Sequence, residues 1–474
     1  MKKAKISMIR CGAINPYALL TSRTGKKISG NKFTPHQIRQ TFEKEFNIPF
    51  HHLFDPMHGS PLFSHKTQAT STESVKKIET GETATRCSKE VAGWGQYSGN
   101  FLPKSPPDIN DANQGCSLNC WFVAALASVA WVWPDLIKNP YDASFKTYLK
   151  FYKSNPESGA IPPYMPPVGS NVWDAAYSPK SKYYTSNYSL PYRSGGIGNW
   201  IYSSPNPAAA TTLWPALIEK TYAYFYQLAG SSSDTPDISR FGTGNPLDSL
   251  LHLTGKRFYS KDDVNNAAAQ NPGVALTQTA FFMTEFADEN SVFNAIYNKC
   301  YKISSGISAM TTTPMVAWTY PTESEANRAN GVDPAVNPEK SAKYTNDAIV
   351  AQHAYSILGV HFAEGKKYIV LRNPWGMSTC GGFSADPEIS DPTPGDSSDD
   401  RYYSGMNASI ITSYNGTPSN SIWTVNLLPI IASNFNTTLR GFSTRTVDLR
   451  NADGIFALTT DKFRWHFQGF GWAY

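Results

Sequence analysis

The sequence contains few cysteines, and their spacing excludes two common uses of this residue. Only six occur in 474 residues, at positions 11, 87, 116, 120, 300 and 380. No two of them form a Cys-x-x-Cys pair, and no zinc-binding pattern accompanies them. Six are also too few for a disulfide scaffold in a chain of this length. A disulfide-stapled fold and a zinc module are therefore excluded.

Long apolar runs are absent as well. Residues 1–20 open with lysines, but Arg10 and Asn15-Pro16 interrupt the apolar core that a secretory signal needs. No later stretch approaches the length of a membrane span. We therefore expect an intracellular, cytoplasmic protein in a reducing compartment, without integral membrane association.

The excess of one sign of charge is small, since 42 Lys/Arg against 37 Asp/Glu give a formal net charge of only +5. That is too little to predict nucleic acid as a partner. The hydrophobic fraction of 41% and the aromatic fraction of 13% are those of a globular protein. A chain of this length can bury a large core and is expected to form two or three units.

The most informative motif surrounds Cys120, where a polar loop gives way to an apolar run of good helix formers at 123–131. Asn119 is the predicted N-cap of this helix, and Pro134 is predicted to end it. A thiol in the first turn faces unpaired amides and the positive end of the helix dipole, which favours thiolate. Gln114, six residues upstream, has an amide that could donate to an oxyanion. The alternative is a core cysteine that opens a buried helix.

A second motif predicts a β-hairpin. Residues 353–360 form an apolar strand headed by His353, and residues 368–372 form a second strand that leads to Asn373. The link between them contains Gly365 and two lysines, which suits a hairpin turn. The hairpin would let His353 and Asn373 meet. Cysteine proteases need a thiolate, an imidazole and an amide oxygen that orients the ring, so the two motifs together favour that chemistry over a structural histidine.

These motifs resemble the calpain protease core, in the family's order, over roughly residues 95 to 440. Papain-type enzymes share the Cys-Trp and Asn-x-Trp-Gly logic but lack the Leu-Ile-Glu-Lys-x-Tyr-Ala block. One departure is Gln352, where calpains usually have glycine before the histidine. The blocks that carry the resemblance are Gln114–Phe122, His353–Ser356, Arg372–Gly376, Leu213–Ala223 and, more weakly, Leu253–Gly255.

The resemblance implies an α+β, papain-like fold with the active cleft between a helical and a strand-rich half. It makes Cys120 the nucleophile, held as thiolate by the helix terminus and by protonated His353. Asn373 would orient the imidazole. Gln114 and the N–H of Cys120 would form the oxyanion hole.

Two tryptophans complete the implied site. Trp375 would shield the His–Asn hydrogen bond from water, and Trp121 would lie beneath the site. For each tryptophan alone, core packing is the alternative role.

The chain is expected to divide into four parts. Residues 1–94 form an N-terminal segment, either a regulatory or pro region or an added subdomain, with a helix at 33–46 and a linker at 67–85. The remaining units are a helical half at 95–255 with an irregular surface loop at 155–206, a strand-rich half at 256–443 with an exposed acidic loop at 386–400, and extra strands packed on the domain at 444–474.

Calcium is a further implication of the resemblance, because calpain cores have two calcium sites. Asp111 matches an acidic ligand of the first site, but Thr212 stands where its partner glutamate is expected. Asp386 matches the second site, whose other acidic positions hold Thr379, Ser419 and Ser421. Calcium prefers several charged oxygens, so we expect calcium-independent activity with no required cofactor, although calcium remains possible.

The expected function is that of a calpain-like cysteine endopeptidase acting on protein or peptide substrates. Two alternatives stay open: a papain-fold cysteine acyltransferase of the transglutaminase type, and an inactive homologue that serves as a binding module. Transglutaminases orient their histidine with Asp, whereas this hairpin presents Asn373. An inactive homologue would usually lack Cys, His or Asn. The oligomeric state is not predicted by the sequence.

Overall fold

The computed structural model describes part of the chain. The described residues are 91–96, 101, 107–115, 117, 119–139, 145–153, 179–192, 202–203, 213–227, 232–236, 244–270, 276–301, 308–338, 340–342, 344, 349–363, 365–376, 422–426, 430–432, 437–440, 444–449 and 454–473. The predicted helix at 33–46, the linker at 67–85 and the acidic loop at 386–400 lie outside them. Within the described residues, no helix is long and apolar enough to cross a membrane.

Helices and strands are both abundant, which confirms the predicted α+β class. The helices are α1 (Cys120–Val132), α2 (Trp214–Gln227), α3 (Pro246–Thr254), α4 (Lys261–Gln270), α5 (Glu289–Tyr297), α6 (Glu323–Ala329) and α7 (Thr460–His466). The strands are β1 (Gly93–Gln96), β2 (Lys146–Lys153), β3 (Lys180–Asn187), β4 (Ser189–Tyr192), β5 (Ala280–Phe282), β6 (Ala309–Thr319), β7 (Ala354–Ala363), β8 (Lys366–Arg372), β9 (Ile422–Asn426), β10 (Ile430–Ala432), β11 (Thr437–Arg440), β12 (Thr444–Asp448), β13 (Ile455–Thr459) and β14 (Phe467–Trp472).

The helix predicted at Cys120 is α1, and every one of its residues is buried. A helix that is apolar on all sides belongs in a core. It lies against β6 and β7, because Ser128 Oγ donates to Met315 O over 3.0 Å and Ser356 Oγ donates to Ala124 O over 2.7 Å. The helix ends at Val132, and Pro134 opens a short 3₁₀ turn, as predicted for its role as a stop.

The largest sheet in the described chain has six antiparallel strands in the order β13-β8-β7-β6-β14-β5. Its two faces belong to two different hydrophobic clusters. Along β8, Tyr368 and Val370 join the cluster around α1, whereas Ile369 and Leu371 join a cluster with α5 and α7. This alternation follows the two-residue period of a strand, and it buries both faces of the sheet. The predicted hairpin, β7–β8, is therefore held on both sides.

The C-terminal residues correct one prediction. Residues 444–474 were expected to be extra strands packed on the domain, but β13 pairs with β8 and β14 lies between β6 and β5. Strands β13 and β14 are thus integral parts of the central sheet, whereas β12 pairs with β9 in a separate two-stranded sheet. The short helix α7 between β13 and β14 was not predicted. Alternating apolar residues reveal a strand but not its partner, which the chain supplies here from distant segments.

The predicted loop at 155–206 is also corrected in part. Residues 180–192 form β3 and β4, which pair with β2 and β1. Two tyrosines of this segment have defined packing, since Tyr188 is buried and Tyr183 stacks on Tyr148 of β2 at 4.6 Å. Strand β1 crosses the boundary predicted between residues 94 and 95, and so joins the start of the described chain to β4.

Candidate active site

Cys120 is the first residue of α1 and is 1% exposed. Asn119 holds the N-cap position, as predicted, but its side chain does not accept from a first-turn amide. Instead, its Nδ2 donates to Glu219 Oε1 on α2 over 2.8 Å. The main-chain carbonyl of Asn119 still starts the helix, because it accepts from the N–H groups of Phe122 and Val123. The nucleophile candidate therefore follows a residue whose side chain is directed to another helix.

His353 and Asn373 meet at the open end of the hairpin, as predicted. His353 immediately precedes β7 and Asn373 immediately follows β8. The distance between His353 Nε2 and Asn373 Oδ1 is 2.9 Å. The main-chain N–H of Trp375 also donates to this Oδ1 over 3.0 Å, which identifies the atom as an acceptor. His353 Nε2 must then be the donor, and in the neutral ring Nδ1 is the nitrogen with a lone pair.

Aromatic rings enclose the imidazole. The ring centroids of Trp375 and Tyr355 lie 4.6 Å and 4.9 Å from that of His353. Burial lowers the pKa of His353 to about 4, although its hydrogen bond with Asn373 acts in the opposite direction. An imidazole with this pKa is neutral at physiological pH and can accept a proton from a thiol. Burial therefore works against the protonated resting His353 that the sequence predicted. The ring of Trp375 thus lies against the imidazole that bonds Asn373.

Gln114 lies against the end of the same hairpin. Its main-chain N–H donates to Pro374 O over 2.7 Å, and its side-chain Nε2 donates to Ser117 O over 2.6 Å. One of the two Nε2 hydrogens is thus used within the loop.

Three buried polar atoms in the turn before α1 have no hydrogen-bond partner among the described residues. They are Gln114 Oε1, Ser117 Oγ and Asn119 Oδ1. Buried polar atoms in native proteins are nearly always paired. Residues 116 and 118 of the same turn lie outside the described residues.

Arg372 is a functional neighbour whose role the sequence did not reveal. It is fully buried, with Nη1 donating to Ala112 O over 2.8 Å and Nη2 to Asn113 Oδ1 over 2.6 Å. These bonds attach the segment before Cys120 to the strand that carries Asn373. The one signal in the sequence is an arginine at the end of an apolar strand.

Trp121 joins α1 to α2. Its ring centroid lies 6.0 Å from that of Tyr222 and 5.6 Å from that of Tyr226. A Cβ on Gly244 would lie 2.3 Å from the indole, so glycine gives the ring its space. Trp121 thus packs the N-terminal end of α1, which carries Cys120, against α2.

The first predicted calcium site can be examined only at Asp111. Its Oδ2 accepts from Trp214 Nε1 over 2.9 Å and from the N–H of Asp108 over 3.2 Å, and burial raises its pKa. The described residues contain no group of three or more His, Cys, Asp or Glu arranged to hold a metal ion. Thr212, Asp386 and Thr379 lie outside the described residues.

The fold is of the α+β class, and its β7–β8 hairpin brings His353 and Asn373 together. Comparison with known proteins agrees. Residues 197–388 match the model of the calpain family of cysteine proteases, a range that includes His353 and Asn373 but not Cys120. A "Thiol protease" from Porphyromonas gingivalis (strain ATCC BAA-308 / W83) is 24% identical over 270 residues, which are 56% of this chain and 44% of that protein.

These matches confirm the resemblance of this chain to calpain-family cysteine proteases. The chain spans less than half the length of that curated relative.

Proposed function

We propose that this protein is a cysteine endopeptidase that hydrolyses peptide bonds of protein substrates through Cys120, His353 and Asn373. The observation that carries the proposal is the hydrogen bond between His353 Nε2 and Asn373 Oδ1. It fixes the ring so that Nδ1 is the basic nitrogen. Cysteine proteases require this third group to orient the base.

In the proposed reaction, His353 Nδ1 accepts the proton of the Cys120 thiol as the sulfur attacks the substrate carbonyl carbon. The oxyanion takes hydrogen bonds from the second Nε2 hydrogen of Gln114 and from the N–H of Cys120, which together contribute a few kcal/mol. His353 then gives its proton to the leaving amine. Water, deprotonated by His353, cleaves the thioester and releases the acid product and the thiol.

The resting state follows from burial. Because desolvation holds the pKa of His353 at about 4, the proposed resting pair is a neutral thiol and a neutral imidazole. The ion pair then forms by transfer of one proton within the pair, which leaves the net charge of the site unchanged.

The test is a set of single substitutions assayed for cleavage of casein and of a fluorogenic peptide. Cys120→Ala and His353→Ala should abolish cleavage, and Asn373→Ala should leave a weak enzyme with a misaligned imidazole. Cys116→Ser is the matched thiol control and should keep full activity. Substantial cleavage by Cys120→Ala would overturn the assignment, and an inactive Cys116→Ser would identify the wrong thiol.

The same proteins decide between the remaining classes. An epoxysuccinyl thiol inhibitor should label the wild type at Cys120 and leave Cys120→Ala unlabelled, whereas a binding module would not be labelled. Incorporation of an amine into casein without peptide cleavage would assign an acyltransferase instead.

A further inference from the structure

Glu219 is a fully buried carboxylate that accepts a hydrogen bond from Asn119, the residue before the candidate nucleophile. It lies on α2 with an exposed fraction of 0%. Its Oε1 accepts from Asn119 Nδ2 over 2.8 Å, and its Oε2 lies 2.9 Å from both the N and the Oγ of Ser203. Asn119 directly precedes Cys120. The carboxylate therefore bridges the turn before α1 and a separate segment at Ser203.

These contacts suit an ionised carboxylate. The Asn119 Nδ2 group and the Ser203 N–H can only donate, and the Ser203 hydroxyl can donate as well. Burial acts in the other direction and dominates, so that the pKa of Glu219 is raised to about 7 while the hydrogen bonds from Ser203 and Asn119 lower it. Its neighbour Lys220 does not compensate the charge. The Nζ of Lys220 is bound to Asn187 and Ser189.

The bridge also explains the side-chain conformation of Asn119. Asparagine at an N-cap normally accepts from a first-turn amide of its own helix. Here the side chain instead donates to Glu219, so it does not compete for the amides beside Cys120.

We propose that Glu219 is a positioning residue for Cys120: it holds the Asn119 side chain away from the first turn of α1 and fixes the turn that aims the thiol. This inference rests on the proposed function. Glu219 touches neither substrate nor reacting atoms, and it acts through Asn119. Its two oxygens bond different segments, Oε1 the turn before α1 and Oε2 Ser203.

A double-mutant cycle between Glu219 and Asn119 tests the proposal. In Glu219→Gln, one oxygen is replaced by a donor, which then faces either the Asn119 amide or the Ser203 N–H. Displacement of a reacting group by about 1 Å can cost up to about 100-fold in rate. We expect kcat to fall roughly 10- to 100-fold in Glu219→Gln and in Asn119→Ala, with KM changed less than threefold. The double variant should be no slower than the slower single variant.

A second readout separates positioning from folding. The rate at which iodoacetamide alkylates Cys120, measured from pH 5 to 9, should fall in both single variants in parallel with kcat. Asn327→Ala serves as the matched control. Asn327 lies on α6, far along the chain from Cys120, and its buried side-chain amide forms hydrogen bonds with the main chain of Ala342. It should lower the melting temperature and leave kcat and the alkylation profile at wild-type values.

The outcomes distinguish this inference from the proposed function. If wild type shows no Cys120-dependent cleavage, the proposed function fails first. If wild type is active and Glu219→Gln retains its kcat and alkylation profile, only the positioning role is overturned. Additive losses in the cycle would overturn it too. Should Glu219→Gln not fold, Asn119→Ala leaves the bonds to Ser203 intact and must still lower kcat; wild-type kcat in that variant refutes the proposal.

Discussion

The main-chain N–H of Gln114 donates to the carbonyl of Pro374 over 2.7 Å. This bond joins the loop before the nucleophile candidate to the segment that follows Asn373. Arg372 adds two bonds to the same loop, at Ala112 O and Asn113 Oδ1. Two motifs separated by more than two hundred residues are therefore fixed to each other by main-chain and guanidinium contacts. The register of this junction determines where Gln114 lies relative to the hairpin.

Two glycines with the same backbone conformation test this junction. Gly376 and Gly365 have φ values of 70° and 73°. A Cβ on Gly376 would lie 2.2 Å from Asn113 Oδ1, whereas a Cβ on Gly365 meets nothing within 4 Å. Each alanine substitution should cost about 1–2 kcal/mol for the left-handed conformation. Only Gly376→Ala should also displace Asn113 and lower kcat about tenfold or more.

Peptide cleavage and urea denaturation of both variants check this prediction. Similar losses of stability with a selective loss of activity in Gly376→Ala are expected. Equal activity in the two variants would show that the position of the 112–114 loop does not matter for catalysis.

Gln352 occupies a position that favours glycine. Calpains usually have glycine here, and in this chain Gln352 has φ of 53°, immediately before His353. Gln352→Gly should keep activity and change the free energy of unfolding by less than about 1 kcal/mol, because relief of the left-handed strain is offset by the greater freedom of glycine in the unfolded chain. Gln352→Val should destabilise by about 2 kcal/mol or more, since β-branched residues disfavour this region.

Thermal and urea denaturation compare the two variants. A valine variant as stable as wild type would contradict the left-handed conformation at residue 352.

The local parts of the site were predictable from the sequence. The helix at Cys120, the stop at Pro134, the β7–β8 hairpin and the His353–Asn373 contact follow from motifs whose periodicity or turn residues are local. What the sequence concealed was pairing between distant segments. The sequence of residues 454–473 does not predict that β14 lies in the sheet between β6 and β5. The identity of Asn119 does not predict that its side chain bonds Glu219. Such contacts depend on packing that only the folded chain defines.

Two buried groups should give the stability opposite dependences on pH. The pKa of Glu219 is raised from 4.5 to about 7, so its folded form binds a proton that the unfolded chain releases. Its contribution to stability is therefore lost as the pH rises from about 4.5 to 7, by about 3 kcal/mol. The pKa of His353 is lowered from 6.5 to about 4, so its contribution is lost as the pH falls through that window, by about 3 kcal/mol.

Urea denaturation between pH 4 and 8 separates these effects. The free energy of unfolding of wild type minus that of Glu219→Gln should decrease as the pH rises. The same difference taken with His353→Gln should increase. Difference profiles that stay flat would show that neither group titrates as its burial requires.

The structure places the boundary for deleting the N-terminal segment before residue 92, rather than at residue 94. We predicted that residues 1–94 form a regulatory arm or an added subdomain. Strand β1 begins at Gly93, and the N–H of Ala92 donates to Tyr192 O over 2.9 Å. Deletion of residues 1–90 leaves these contacts intact. If the segment is a regulatory arm, this variant should be soluble, with cleavage activity equal to or greater than that of the full chain.

Deletion of residues 1–96 is the matched control, since it removes β1 and its pairing with β4. It should be less stable than the shorter deletion. Insoluble protein after deletion of residues 1–90 would favour the added subdomain.

Calcium is not expected to switch the enzyme on. The two donors that reach the Asp111 carboxylate, Trp214 Nε1 and the N–H of Asp108, are both bound at Oδ2, so an amide oxygen can accept them as well. Calcium binds six to eight oxygens, several of them charged, and Thr212 replaces a carboxylate of the implied site. Cleavage in millimolar calcium should therefore equal cleavage in a chelator within about twofold, for wild type and for Asp111→Asn alike. A large loss on chelation that calcium restores in wild type, but that needs higher calcium in Asp111→Asn, would place a functional ion at Asp111. The same loss with an unchanged response in Asp111→Asn would instead point to ligands elsewhere, among which the acidic residues of 386–400 are the first to replace.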